Sequence, residues 1–155
     1  MRGHCAIRRE QVVVDASVAV KWVVPEDHSE SACHLLKPGI GLCVPGHWLA
    51  EVSTALWAKS ALRGVLSRSQ ADARIAWLSE LDVVETPIRN LITSAASMAF
   101  DLRLTLYDTL YLAVAERIGA QVATADRTFF ERAAADRRFA GLMVWVADLP
   151  AAVSG

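Results

Sequence analysis

The chain has no long hydrophobic run, although its composition is apolar. Of its 155 residues, 54% are hydrophobic and 21% are charged, yet no uninterrupted apolar stretch reaches the roughly 18 residues that span a bilayer. The pair Arg8 and Arg9 is not followed by a hydrophobic segment, so neither a twin-arginine nor a general secretory signal fits. We therefore expect a cytoplasmic protein without a membrane partner, whose apolar content leaves some hydrophobic surface for another partner.

Cysteine is scarce as well. Cys5, Cys33 and Cys43 are an odd number and form no CxxC pair, so a disulfide framework is not predicted. A zinc site assembled from Cys33, His34, Cys43 and His47 is the alternative, but the spacing matches no standard pattern. Buried thiols and surface histidines account for these residues better.

No excess of basic residues is present either. The formal net charge is −1, so the chain has no overall basic character that would indicate nucleic-acid binding. Two interpretations remain open. Either nucleic acid is irrelevant to this protein, or the acidic residues are concentrated in one site and the basic residues lie on its rim.

Strand and helix patterns alternate along the chain, with no repeat, low-complexity tract or linker. The predicted strands are Gln11–Asp15, Gly41–Val44, Asp82–Glu85, Gln121–Thr124 and Leu142–Val146. The predicted helices run from Ser17 to before Pro25, and over Ser29–Lys37, Trp48–Arg63, Ser69–Glu80, Asn90–Arg103, Tyr107–Ile118 and Thr128–Ala135. This order predicts one α/β domain, a three-layer sandwich with a largely parallel central sheet.

Four of the seventeen acidic residues stand in apolar sequence. Asp15 closes the run Val12–Val14, and Asp126 follows the apolar strand that ends near Thr124. Glu51 lies in the first turn of its predicted helix, and Asp108 opens the next-to-last predicted helix as an N-cap. In open α/β sheets, ligands bind at the carboxyl ends of the strands. We expect the four carboxylates to share that crevice.

A clustered set of carboxylates indicates metal binding. An acid in apolar surroundings is costly unless it is paired, neutralised or bound to metal, and the nearest cations in sequence are only Lys21 and Arg127. Mg²⁺ or Mn²⁺ prefers oxygen ligands and relieves the repulsion among them. Such an ion activates water for hydrolysis of a phosphodiester. The alternative for single residues is structural, with Asp108 as only a helix cap and Asp126 as only an Asx-type turn.

At this point the chain resembles the PIN-domain ribonucleases, in particular the VapC toxins of bacterial toxin–antitoxin pairs. The resemblance rests on four segments in family order, residues 13–22, 44–52, 106–116 and 123–126, whose sequences are VVDASVAVKW, VPGHWLAEV, LYDTLYLAVAE and ATAD. Each segment alone is short, but the four together are specific.

The resemblance implies a function for the acidic set. It implies that Asp15, Glu51, Asp108 and Asp126 surround Mg²⁺ or Mn²⁺ and that the protein cleaves RNA internally by an activated water. The family also often has hydroxyls where Ser17 and Thr124 stand, near the metal or phosphate; capping and strand-end hydrogen bonding are the alternative. The implied partner is a small VapB-like antitoxin, in a homodimer or a toxin–antitoxin heterotetramer.

Residues 1–10 depart from the family pattern, because they precede the first strand and are longer than a typical toxin's start. We expect a single PIN-like domain over residues 1–155, in which residues 1–10 are either a disordered extension or a non-native segment that begins at an upstream start codon.

Other classes fit less well. A receiver domain would have paired acids after the first strand, where Asp15 is followed by Ala16. A haloacid-dehalogenase-type phosphatase would have an aspartate at Ser17, and no GxxxxGK[ST] or GxGxxG stretch supports nucleotide binding. The remaining alternative is a PIN domain that acts in RNA processing, or only binds RNA, outside toxin biology.

Overall fold

The protein is described by a computed structural model over residues 10–152, in which strands and helices alternate. The strands are β1 Glu10–Val14, β2 Ile40–Pro45, β3 Val83–Thr86, β4 Gln121–Thr124 and β5 Met143–Trp145. The α-helices are α1 Ala16–Val23, α2 Ser29–Cys33, α3 Trp48–Trp57, α4 Arg68–Ser79, α5 Ile92–Leu102, α6 Leu106–Ile118, α7 Arg127–Ala135 and α8 Leu149–Ala152. Of the predicted N-terminal extension, only Glu10 is described, and it begins β1.

The five strands form one parallel sheet in the order β3-β2-β1-β4-β5. Successive side chains on a strand point to opposite faces, and Val13 and Val14 in the central strand are both 0% exposed. Both faces of the sheet are therefore covered, which is the usual state of a parallel sheet. The predicted three-layer α/β sandwich is confirmed, and its sheet is wholly parallel.

The middle of helix α6 is completely buried against this sheet. Every residue from Thr109 to Ala115 is buried, and the helix packs on β1, β2 and β4. It ends at Gly119, which adopts the left-handed conformation at φ 68° and donates its N–H to the Ala115 carbonyl. A helix that is apolar all round is held in place by its neighbours, so its first turn, with Asp108, is held in a defined position.

Several predicted elements differ from the structure at their ends. The predicted helix Ser29–Lys37 splits into α2 and a 3₁₀ turn, His34–Leu36, because the chain tightens before Pro38. The predicted helix Trp48–Arg63 continues beyond α3 as a π-helical turn, Ala58–Leu62. No helix within residues 10–152 combines the length and the apolar content needed to cross a membrane.

The N-cap of α4 lies two residues before Ser69, where the predicted helix begins. The prediction chose Ser69, but Ser67 caps the helix: its Oγ accepts from the Gln70 backbone N–H at 3.1 Å. The Gln70 side-chain Oε1 accepts from the Ser67 backbone N–H at 2.9 Å, which completes a capping box. Gln70 at the third helical position is the signal that distinguishes the two serines.

The capping box gives a stability prediction. Ser67→Ala should lower the free energy of unfolding by about 1 kcal/mol, because the Gln70 N–H loses its acceptor. Ser69→Ala, the matched control inside the first turn, should change it by less than about 0.5 kcal/mol. Urea titration of both variants measures the difference. An equal loss in the two variants would contradict the assignment of Ser67 as the cap.

Candidate active site

The predicted acids lie around the point where the strand order reverses. From β1 the sheet continues to β2 and β3 on one side and to β4 and β5 on the other. Asp15 directly follows β1, and Asp126 stands two residues after β4. Ligands of open α/β sheets bind in the crevice outside the strand ends at this switch point. The topology therefore brings two of the predicted residues to the two sides of that crevice.

Asp15 is the buried member of the set, with 3% of its surface exposed. Its Oδ2 accepts two hydrogen bonds, from Ser17 Oγ at 2.5 Å and from Thr124 Oγ1 at 2.6 Å. No residue in the 10–152 range donates a hydrogen bond to the other oxygen, Oδ1. One carboxylate oxygen is thus fixed by two hydroxyl donors of the protein.

The hydroxyls of Ser17 and Thr124 also join the ends of β1 and β4. Ser17 Oγ accepts from the Ala125 backbone N–H at 2.9 Å, and Thr124 Oγ1 accepts from the Asp126 backbone N–H at 3.0 Å. The strand-end hydrogen bonding considered for these residues is therefore present. Because the same hydroxyls donate to Asp15, they orient the carboxylate as well.

Glu51 lies in the first turn of α3, as predicted, with 35% of its side chain exposed. Its Oε2 accepts from the Tyr111 hydroxyl at 3.4 Å. The Tyr111 oxygen in turn accepts from the Ala16 backbone N–H at 3.3 Å, directly beside Asp15. Tyr111 thus connects the first turn of α3 to the first turn of α1.

Two residues of this site were not predicted from the sequence, Tyr111 and His47. His47 was expected at the surface but is 8% exposed, because its ring packs against Tyr107 and Tyr111 at centroid distances of 5.4 and 5.2 Å. Its Nε2 lies 2.9 Å from Glu51 Oε2, and neither ring nitrogen forms a hydrogen bond of good geometry. Helical spacing is the signal that could have found both, since His47 lies four residues before Glu51 and Tyr111 three after Asp108.

The expectation for the thiols needs a similar correction. Cys43 is buried, but Cys33 is exposed.

Asp108 is not the N-cap that the sequence predicted. Thr105 caps α6, and its Oγ1 accepts from the Asp108 backbone N–H at 3.2 Å. Asp108 therefore lies inside the first turn, partly buried, and hydrogen bonding from Thr105 lowers the pKa of its carboxyl against the effect of burial. The prediction erred because a threonine three residues before an acid makes an equally good cap.

Asp126 is an exposed N-cap. Its Oδ1 accepts from the Phe129 backbone N–H at 3.0 Å at the start of α7. The structural role considered for Asp126 is therefore present, and it fixes the direction of the carboxylate.

The four acids are close enough to affect one another. Burial raises the pKa of Asp15 to about 7, against the hydrogen bonds from Ser17 and Thr124, and the charges of Glu51 and Asp108 raise it further. Burial also raises the pKa of Asp108, and the charges of Asp126 and Glu51 add to this rise. Charge repulsion therefore couples Asp15 to Glu51 and Asp108, and Asp108 to Asp126 and Glu51.

The nearest cations do not neutralise this site. Lys21 pairs with Glu26 at 3.3 Å, and Arg127 lies over the Trp145 ring. Within the described part of the chain, no lysine or arginine forms an ion pair with any of the four acids.

The donor set is made of oxygen atoms, as Mg²⁺ or Mn²⁺ requires. Over residues 10–152, no three His, Cys, Asp or Glu side chains converge tightly enough to form a ready metal cage. Carboxylate oxygens are suitable ligands for a divalent cation, which would also offset their repulsion. To bind one ion together, the acidic side chains would have to move closer to one another.

Comparison with known proteins identifies the family. The model of the PIN domain family matches residues 12–136. Ribonuclease VapC3 from Pyrobaculum aerophilum is 32% identical over 124 residues, which cover 79% of this chain and 94% of that protein.

Solved structures share the fold. The crystal structure of PAE2754 from Pyrobaculum aerophilum has a TM-score of 0.69 at 23% identity, covering 94% of this chain and 90% of that chain. The structure of VapBC2 from Rickettsia felis, bound to a DNA fragment from their promoter, has a TM-score of 0.60 at 14% identity over 87% and 98% of the two chains.

The chain belongs to the PIN-domain family. Within that family it is similar to the VapC ribonucleases, and the resemblance drawn from the four sequence motifs is confirmed.

The raised pKa of Asp15 predicts how stability depends on pH without metal. The unfolded Asp15 ionises near 3.8 and the folded one near 7, so the folded state holds a proton that the unfolded state has lost. Stability should fall as pH rises from about 4 to about 7, by about 4 kcal/mol for a shift of about three units. Asp15→Asn cannot ionise and should not show this loss.

The measurement is the unfolding free energy of wild type minus that of Asp15→Asn, in chelator, across the pH range. The difference should become more negative as pH rises from about 4 to about 7 and then level off. Asp72→Asn, an exposed acid on α4, serves as the control and should give a flat difference. A flat curve for Asp15→Asn would contradict the assigned ionisation of Asp15.

Proposed function

We propose that this protein is a metal-dependent endoribonuclease and the toxin of a toxin–antitoxin pair. One observation carries the nuclease part: Asp15 and Asp126 follow two neighbouring strands at the switch point of a PIN-domain sheet. Glu51 and Asp108 raise the pKa of Asp15, and none of the four acids has an arginine or lysine partner among the described residues. Membership in the family and the similarity to Ribonuclease VapC3 support RNA as the substrate.

Asp15, Glu51, Asp108 and Asp126 are the residues that would hold Mg²⁺ or Mn²⁺. Asp15 offers its unbonded Oδ1, while Ser17 and Thr124 hold the other oxygen. Asp126 is directed by its bond to the Phe129 N–H, and Glu51 by the Tyr111 hydroxyl. Glu51 and Asp108 are partly exposed on helix first turns, where their side chains can move toward a cation.

When bound, a hard divalent cation would stabilise the negative charge of the phosphodiester and lower the pKa of a water that attacks it. The protein side chains then orient the reacting groups rather than forming a covalent bond. The Oγ atoms of Ser17 and Thr124 both donate to Asp15, so they keep its carboxylate aimed while the backbone near Ala16 stays fixed by Tyr111. We expect no covalent enzyme–RNA species.

Substitution of the acids tests the proposal. Asp15→Asn and Asp126→Asn should reduce RNA cleavage by more than about 100-fold, because each removes a ligand charge while keeping the shape. Ser17→Ala removes only a supporting hydroxyl and should cost about 10- to 100-fold. Rates are measured on a mixed-sequence RNA, with Asp72→Asn as control and thermal melting to show that each variant folds. Cleavage by Asp15→Asn at the wild-type rate would refute the proposal.

The same assay tests the metal. Chelation should abolish cleavage, and added Mg²⁺ or Mn²⁺ should restore it. A cation that binds only the folded state should also raise the melting temperature, with a stabilisation of about 2.7 kcal/mol at 100 times its dissociation constant. No cleavage with or without metal, together with no metal effect on melting, would favour an RNA-binding module instead.

Exposed apolar side chains support an antitoxin partner. Trp57, Leu62, Val65 and Trp77 are each about half exposed or more, and they lie on α3, its π-helical turn, the following loop and α4, which pack together. A large exposed apolar surface marks an interaction site, and an amphipathic helix is the usual occupant of such a surface. The structural similarity to a VapBC complex agrees with this partner.

Co-expression with the neighbouring small gene tests the toxin assignment. Expression of this gene alone should stop growth, and the neighbour should restore growth and co-purify with the chain. Trp57→Ser should weaken that complex, whereas Phe100→Ser, an equally apolar change on α5, serves as the control for loss of exposed apolar surface. A harmless chain that binds no neighbour would instead indicate a PIN-domain nuclease of RNA processing.

A further inference from the structure

Next to the four acids, one cation and two aromatic rings contact the indole ring of Trp145. The guanidinium carbon of Arg127 lies 4.0 Å from the centroid of the Trp145 ring. Phe130 and His28 approach the same indole edge-on, with ring centroids at 5.6 and 6.4 Å. The guanidinium thus lies over the indole at cation–π distance, and the Arg127 side chain remains 59% exposed. We call Arg127 and Trp145 the Arg–Trp platform.

The platform borders the acidic site on its β5 side. Arg127 follows Asp126 directly in the chain. Trp145 is the register partner of Thr124, and Thr124 donates to the Asp15 carboxylate. Arg127 is therefore adjacent in the chain to Asp126. Trp145 lies on the strand next to Thr124, whose hydroxyl donates to Asp15.

Neither the helix dipole nor ion pairing accounts for Arg127 at this position. It is the first residue of α7, where the helix dipole disfavours positive charge. Its ion-pair partner Glu131 is 3.9 Å away, and both side chains are more than half exposed, so that pair contributes little. The stack on Trp145 holds an exposed cation beside a site that is otherwise negative.

We propose that the Arg–Trp platform binds the RNA strand beside the bond that is cut, an inference that rests on the proposed ribonuclease function. An RNA strand entering this site brings phosphates toward four carboxylates, so a cation on its path offsets the repulsion. One guanidinium face lies on the indole, and the other can stack on an unpaired base, while its edge donates to a phosphate. The occupant is single-stranded RNA, because stacking requires an unpaired base.

Binding is measured on an Asp15→Asn background, in which the RNA stays intact. The probe is a fluorescein-labelled single-stranded RNA of ~12 nucleotides, within the usual length of such sites, with Mg²⁺ present. Arg127→Gln and Trp145→Leu should each weaken binding about tenfold, which is within the effect of losing one stacked base. Arg127→Lys keeps the positive charge but loses the planar guanidinium that stacks on a base, so it should weaken binding nearly as much as Arg127→Gln. Trp145→Phe keeps a ring and should recover part of the affinity.

Arg138→Gln is the matched control. Arg138 also lies over an aromatic ring, Phe139, at 4.9 Å, and is 51% exposed in an ion pair with Glu116. It lies at the other end of α6 from Asp108, because Glu116 is eight residues along that helix. This variant should bind the probe as the background protein does. Thermal melting shows that each variant is folded, and the exposed Arg127 change tests the platform even if a Trp145 variant is unstable.

Three results would overturn the platform. The first is unchanged affinity of folded Arg127→Gln. The second is an equal loss of affinity for single-stranded RNA and for a duplex of the same sequence, since charge alone would explain it. The third is a loss of binding to the antitoxin with no loss of binding to RNA, which would make the surface a protein contact. Wild-type protein that cuts no RNA refutes the proposed function separately, because the binding assay needs no cleavage.

Discussion

Burial of one carboxylate, that of Asp15, organises the rest of the site. A buried charge is costly unless the protein compensates for it, and compensation here comes from two hydroxyls on two different segments. Because Ser17 and Thr124 also bind the backbone beyond β4, the same contacts close the gap between the two central strands. The hydrogen bonds that compensate Asp15 therefore also fix the start of α1 and the turn that contains Asp126.

The reversal of strand order explains why such a group is tolerated. Strands β1 and β4 are neighbours, but the chain leaves them toward opposite sides of the sheet, so no connection covers their ends. Glu51 and Asp108 reach the same crevice from helix first turns, where the helix dipole favours an acid.

The two flanks of the crevice differ in chemistry. On one side, His47 is packed between Tyr107 and Tyr111 and approaches Glu51. On the other side, Arg127 is stacked on Trp145. A net charge of −1 thus hides a strongly uneven distribution, with acids at the centre and an oriented cation beside them. Of the two interpretations that composition left open, this arrangement agrees with acids in one site and a base on its rim.

The sequence by itself determined the element order and the parallel sheet, because apolar runs and the residues that end them are local signals. The sequence misplaced two helix N-caps, because neighbouring polar residues compete for the same capping position. Ser67 rather than Ser69 caps α4, and Thr105 rather than Asp108 caps α6. Only the tertiary structure decided the contacts between distant segments. Tyr111 joins Ala16 and Glu51, and Trp145 meets Arg127, because helix packing and strand register bring together residues whose spacing in the chain carries no signal.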